Sequence, residues 1–150
     1  MLYFAYGSNL NHFQMKKRCK DSKFLKIIEL KDYKLTFRSI YRAADIEPKK
    51  NFIVPGALFE ISKNDEKKLD LYEDFPTLYK KYYFLYQNKK VMTYTMVKKT
   101  HFTYPKERYL NTIKQGYKDC GLDINFLFKI LKSNTSVSYT HLRAHETIAD

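Results

Sequence analysis

Tryptophan is absent, and cysteine, glycine and proline are scarce, at two, four and four residues in 150. Two cysteines, Cys19 and Cys120, make neither a disulfide framework nor a metal cluster, and they read as plain thiols of a reducing, cytoplasmic compartment. Four glycines leave no room for a phosphate-binding Gly-rich loop, which excludes a dinucleotide fold. Cys-x-x-Cys, His-Glu-x-x-His and Gly-x-Ser-x-Gly are missing as well. No stretch approaches the eighteen apolar residues of a spanning helix, and the start, MLYFAYGSN, lacks the basic region of a secretory signal. Arginine is rare too. Only five of the 28 basic residues are arginine, which argues against a sequence-specific nucleic-acid reader, since such readers use bidentate arginine contacts.

What is present suits one compact soluble domain. The chain is 44% hydrophobic and 17% aromatic, enough to build a core without staples. The net charge of +12 comes from lysines spread along the chain, densest between Lys16 and Lys26. These read as solubilising surface that also attracts small anions. Neither a specific nucleic-acid partner nor a membrane partner is expected, and monomer and homodimer stay open.

The apolar run Leu2 to Tyr6 predicts a buried strand. Gly7-Ser8-Asn9 ends it, and Asn9 or Asn11 can cap a helix over residues 12–19 with Phe13 and Met15 as its apolar members. Residues 26–41 alternate as a half-buried strand, with Leu35, Phe37 and Ser39 on one face and Thr36 and Arg38 on the other. The polar stretch from Ile40 to Lys50, closed by Pro48, reads as a loop. Phe52 to Ile61 predicts a second strand, bent at Pro55-Gly56. Ser62 and Asp65 form a capping box for a helix from Lys63 to Tyr72, and Glu73-Asp74-Phe75-Pro76 breaks it. Tyr79–Tyr86 and Val91–Val97 flank Gln87-Asn88-Lys89-Lys90 as a hairpin. Pro105 suits the first turn of a helix carrying Tyr109, Ile113, Gly116 and Tyr117, which Gly121 can end. A last apolar segment holds Phe126, Leu127, Ile130 and Leu131. Without a βαβ rhythm, the order predicts an α+β fold with a mixed, barrel-like sheet and flanking helices.

Residues 133–150 stand apart, holding no phenylalanine and two of the four histidines, and only Lys132 just before them continues the lysine pattern. The run 136–147 resembles a translated sequencing-adapter fragment, so the domain is set at 1–132 and 133–150 is an atypical tail, read as a sequencing or assembly artefact with a genuine tail as the alternative. His141 and His145 are spaced i,i+4, but a pair without a third ligand predicts no zinc site.

Chemistry concentrates in two places. Tyr6-Gly7-Ser8-Asn9-Leu10 joins the first strand to a helix entrance, where backbone N–H groups suit a carboxylate and glycine permits close approach; an ordinary turn is the plain alternative. In Leu69-Asp70-Leu71-Tyr72-Glu73-Asp74, Glu73 follows Leu69 by four residues. On the Leu69 face it would point inward and gain a raised pKa, as a general base requires. Asp70 or Asp74 is the alternative acid, and a helix-end surface charge the plain reading. His12 and His101 form no triad.

These residues resemble the γ-glutamylcyclotransferase-like superfamily, which includes γ-glutamylamine cyclotransferases and plant avirulence-induced proteins, and within it the bacterial single-domain branch. The likeness runs from Tyr3-Phe4-Ala5-Tyr6-Gly7-Ser8-Asn9-Leu10 through Met15, Arg18-Cys19, Leu35-Thr36-Phe37, Val54-Pro55-Gly56-Ala57-Leu58-Phe59 and Leu69-Asp70-x-Tyr72-Glu73 to Pro105, Tyr109 and Gly116-Tyr117. It implies a small barrel-like core, Glu73 as the catalytic carboxylate, and a substrate cavity lined by Tyr6, Gly7, Ser8, Asn9 and Leu10. Tyr79, with Tyr6, is expected as a pocket wall and hydrogen-bond donor. The implied activity is cyclisation of a γ-glutamyl amine or γ-glutamyl amino acid to 5-oxoproline, with no cofactor and no metal. Amide hydrolysis through the same glutamate, or a binding module of the same fold, is the alternative. Asp74 stands where the family usually has glycine, and Ala43-Ala44-Asp45-Ile46 where it has a Gly-rich segment.

Overall fold

A computed structural model describes residues 1–134. The expectations for the tail from residue 135 onward, His141 and His145 included, lie outside the described residues. In chain order the elements are β1 (Leu2–Ala5), a 3-10 turn (Ser8–Leu10), α1 (His12–Arg18), β2 (Lys23–Arg38), β3 (Ala43–Glu60), α2 (Lys63–Tyr72), β4 (Tyr79–Tyr86), β5 (Lys89–Met96), α3 (Glu107–Cys120) and α4 (Ile124–Asn134). The five strands form one sheet in the order β2-β3-β1-β5-β4. All pairs are antiparallel except β1 with β5. The fold is therefore α+β with a mixed sheet. The sheet curls without closing: its outer strands meet only through side chains, with the Tyr33 and Tyr82 rings 5.4 Å apart and Lys26 over Tyr86. No helix among the described residues is long and apolar enough to cross a membrane.

Several local readings hold. The Ser62 side chain accepts from the Asp65 N–H while Asp65 accepts from the Ser62 N–H, completing the capping box of α2. Asn11 caps α1 by accepting from the Gln14 N–H. Gly121, at φ 81°, ends α3 in the left-handed conformation. The β4–β5 hairpin turns at Gln87-Asn88, both at positive φ, so it is tighter than the four-residue turn expected and manages without glycine.

Other readings are corrected. Residues 43–50 are not a loop: they belong to β3, which pairs with β2 from Ala43 to Pro48, and the turn between the strands is only residues 39–42. Pro48 is accommodated beside a bulge between Lys31 and Tyr33, where Asp32 and Asn51 take positive φ and the Asn51 N–H donates to the Asp32 carboxylate. The far end of β2 is not half-buried. Leu35, Thr36, Phe37 and Arg38 are all buried, because Arg38 finds Asp45 and Glu47 across the strand pair. Phe13 points to solvent while Met15 alone anchors α1. Pro105 precedes the Lys106 cap and so lies outside the first turn of α3.

Two glycines permit close crossings. A Cβ on Gly56 would lie 2.4 Å from the Ala5 carbonyl oxygen, and one on Gly116 would lie 2.6 Å from Leu10 and Asn11. The first lets β3 cross β1, and the second seats α3 against the 3-10 turn. By contrast α2 buries only Asp65 and Leu69. Burying Leu69 contributes about 1.5–3 kcal/mol, and ionic contacts from Lys81 to Glu66 and Asp70 hold the outer face.

Candidate active site

The C-terminal end of β1, the 3-10 turn, the end of α2, the starts of β3 and β4, β5 and the first turns of α3 enclose a cavity of about 550 Å3. Tyr6, Gly7, Ser8, Asn9, Glu73 and Tyr79, named from the sequence, all line it. Leu10 does not. The 3-10 turn rotates its side chain into the core, where it is fully buried beneath Gly116. The close approach that Gly7 permits is to the protein itself: a Cβ there would lie 3.1 Å from the Ala44 Cβ. Leu10 and Asn11 donate their N–H groups back to Gly7 and Ser8, whereas those of Ser8 and Asn9 have no protein acceptor among the described residues.

Glu73 is set in place by the end of α2. It is the C-cap, and Asp74 follows at φ 52°. The Phe75 N–H donates to the Asp70 carbonyl and the Asp74 N–H to that of Leu71, the two bonds of a Schellman motif. This explains the family preference for glycine at position 74, since the left-handed conformation is one that aspartate tolerates and glycine takes freely. The Glu73 side chain lines the cavity and makes no hydrogen bond or ion pair among the described residues. Burial pushes its pKa from 4.5 up to about 8, with Arg18 opposing the rise. The charge of Asp74, an exposed rim residue, is not among the causes. Asp70 is committed elsewhere: it accepts from the Tyr94 hydroxyl at 2.6 Å and pairs with Lys81.

The tyrosine hydroxyls divide into two sets. Tyr6 donates to the Tyr94 carbonyl and Tyr79 to the Ala44 carbonyl, both at 2.6 Å. They are walls and braces, and their protons are already used, contrary to the expectation that they serve as donors. Tyr109 instead accepts from the Ala44 N–H at 2.9 Å, and Tyr3 accepts from the Asn9 amide at 3.0 Å. Each retains its own proton and lines the cavity. Burial raises both pKa values above the ordinary phenol value. Sequence reasoning missed Tyr3 and Tyr109 because the direction of a hydroxyl is a tertiary property. At the mouth, Tyr41 from the β2–β3 turn and Lys106 were missed as well. Among the described residues no group of three or more His, Cys, Asp or Glu could hold a metal ion.

Structures of known proteins share this architecture. One named gamma-glutamyl cyclotransferase superposes with a TM-score of 0.71 at 25% identity, covering 87% of this chain and 85% of that one. An uncharacterized protein from Homo sapiens gives a TM-score of 0.68 at 25% identity over 86% and 85% of the two chains. YkqA from Bacillus subtilis gives 0.72 at 21% identity, over 91% of this chain and 54% of that one. No curated protein sequence matches significantly. The family model "Gamma-glutamyl cyclotransferase, AIG2-like" matches residues 3–117, from the first strand past Gly116, and so takes in both halves of the cavity. The chain belongs to this family.

Proposed function

We propose that the protein cyclises a γ-glutamyl amine or γ-glutamyl amino acid to 5-oxoproline and releases the amine, with Glu73 as the proton carrier. The observation that carries this reading is a lone half-buried carboxylate, its pKa pushed up to about 8, in one cavity with the Ser8–Asn9 turn. The α-amine of the substrate attacks its own γ-carbonyl carbon and closes a five-membered ring. Holding the chain in that curled form supplies much of the rate enhancement. The α-ammonium must first lose a proton. A carboxylate whose pKa burial has pushed up to about 8 accepts that proton at far less cost than an ordinary carboxylate would.

The amine–carbon bond forms as the carbonyl π electrons move onto oxygen. The Tyr3 and Tyr109 hydroxyls and the Ser8 and Asn9 N–H groups are the donors suited to that oxyanion or to the substrate carboxylate. Collapse breaks the original amide bond as protonated Glu73 gives its proton to the departing nitrogen, and the carboxylate so regenerated takes the second proton of the ring nitrogen and passes it to the released amine, which leaves as an ammonium ion. No water is consumed.

The deciding experiment incubates the protein with a panel of γ-glutamyl amines, γ-glutamyl amino acids and glutathione and follows products by mass spectrometry. Release of 5-oxoproline is the expected outcome. Open-chain glutamate would mean hydrolysis, and ligand binding without turnover would mean a binding module.

A further inference from the structure

Arg18 does not line the cavity, yet it touches two residues that do. Its Nη1 donates to the Asn9 Oδ1 at 2.7 Å. Its guanidinium carbon lies 3.4 Å from the centroid of the Tyr72 ring. Tyr72 shares a 2.9 Å hydrogen bond with the Ser8 hydroxyl, and Asn9 donates onward to Tyr3. Arg18 thus ties the end of α1 to the Ser8–Asn9 turn and to the residue just before Glu73. Among the described residues it forms no ion pair: its partners are a neutral amide and a neutral ring, so its charge is left uncompensated.

We infer that Arg18 is a positioning residue of the site, acting on Glu73 by fixed positive charge and on Tyr3 through Asn9. This rests on the functional reading above only as far as turnover is concerned. The donor order runs one way, from Arg18 to Asn9 to Tyr3, and leaves the Tyr3 proton free for the cavity. The other ionisable groups facing Glu73 are neutral phenols in this range: Tyr3 from β1, Tyr6 just after it, Tyr79 from β4, Tyr94 from β5 and Tyr109 from α3. Asp74 and Lys106 lie at the exposed rim with opposite charges. Asp45, behind Tyr6 and Tyr79, is paired with Arg38 and Lys99. Arg18 is therefore the cation that favours the ionised base, and the direction of its influence agrees.

The test is carbon NMR titration of the Glu73 carboxyl in the wild type and in Arg18→Lys, Arg18→Gln and Arg18→Met. The methionine variant keeps an apolar stem against Tyr72 in case the glutamine variant does not fold. The titration midpoint should rise by about half a unit to one unit in the neutral variants, a three- to tenfold change in proton affinity, and stay near the wild-type value in Arg18→Lys. The turnover of the neutral variants should fall by the same factor at pH 7 and recover at higher pH. An unmoved midpoint in a folded neutral variant, or a rate loss equal at every pH, would overturn the inference. Absence of turnover in the wild type would overturn the cyclotransferase reading while the titration still decides the role of Arg18.

Discussion

Asp45 and Glu73 are both carboxylates withdrawn from bulk water, and they are treated in opposite ways. Asp45 is fully buried on β3 and fully partnered: Arg38 and Lys99 approach one oxygen and the Met96 N–H donates to the other. Glu73 has Arg18 near enough to be felt but no donor in contact. Within one fold a fully partnered carboxylate thus stands beside an unpartnered one. Partners pair and fix the first, whereas lack of partners leaves the second carboxylate with a raised pKa.

The contrast can be broken at either end. The largest effect is expected at Asp45→Asn, which leaves Arg38 and Lys99 facing a neutral amide. A loss of about 3–5 kcal/mol in chemical denaturation is the expected result, and a loss below about 1 kcal/mol would show that the pairs are replaceable. Glu73→Gln should leave the fold intact and lower turnover by about 10²-fold or more with substrate binding largely kept. Initial rates of 5-oxoproline release check this, and full activity would end the mechanism.

A third expectation concerns pH. The folded pKa of Glu73 is raised, so between about 4.5 and 8 the native state holds a proton that the unfolded state has released. The contribution of this group to stability is therefore intact below that window and falls as pH rises through it. The slope is at most about 1.4 kcal/mol per pH unit. Denaturation midpoints across the window should show a negative component in the wild type that disappears in Glu73→Gln. The smallest effect belongs to Asp74→Gly, which relieves the positive φ and should stabilise by under about 1 kcal/mol after the entropy of glycine is counted, while Asp74→Ala destabilises. Because Asp74 is not among the causes of the Glu73 shift, neither change should move the Glu73 midpoint appreciably.

What was legible in the sequence was local. The capping box, the β1 run and the hairpin arms each announce themselves within a few residues. The inward phase of Glu73 follows from Leu69 one turn earlier, because one buried leucine fixes the rotation of a short helix. Residues 43–50 were hidden for a physical reason. Their pairing with β2 ends at a bulge, their tip is polar, and Asp45 looks like a surface acid until Arg38 faces it. The roles of the tyrosines were hidden likewise, since Tyr6 and Tyr3 differ only in whether a backbone carbonyl or an amide N–H meets the hydroxyl.

The missing side chain at Gly116 bears on how such a protein can diversify. With no space for a methyl group between α3 and the 3-10 turn, the packing that seats this turn behind the cavity cannot be shifted by small steps. Inheritable change has freer play at the rim, where the four-residue turn 39–42 carries Tyr41 and the α3 cap carries Lys106. A lineage can thus reshape the mouth of the cavity and leave the packing behind it untouched.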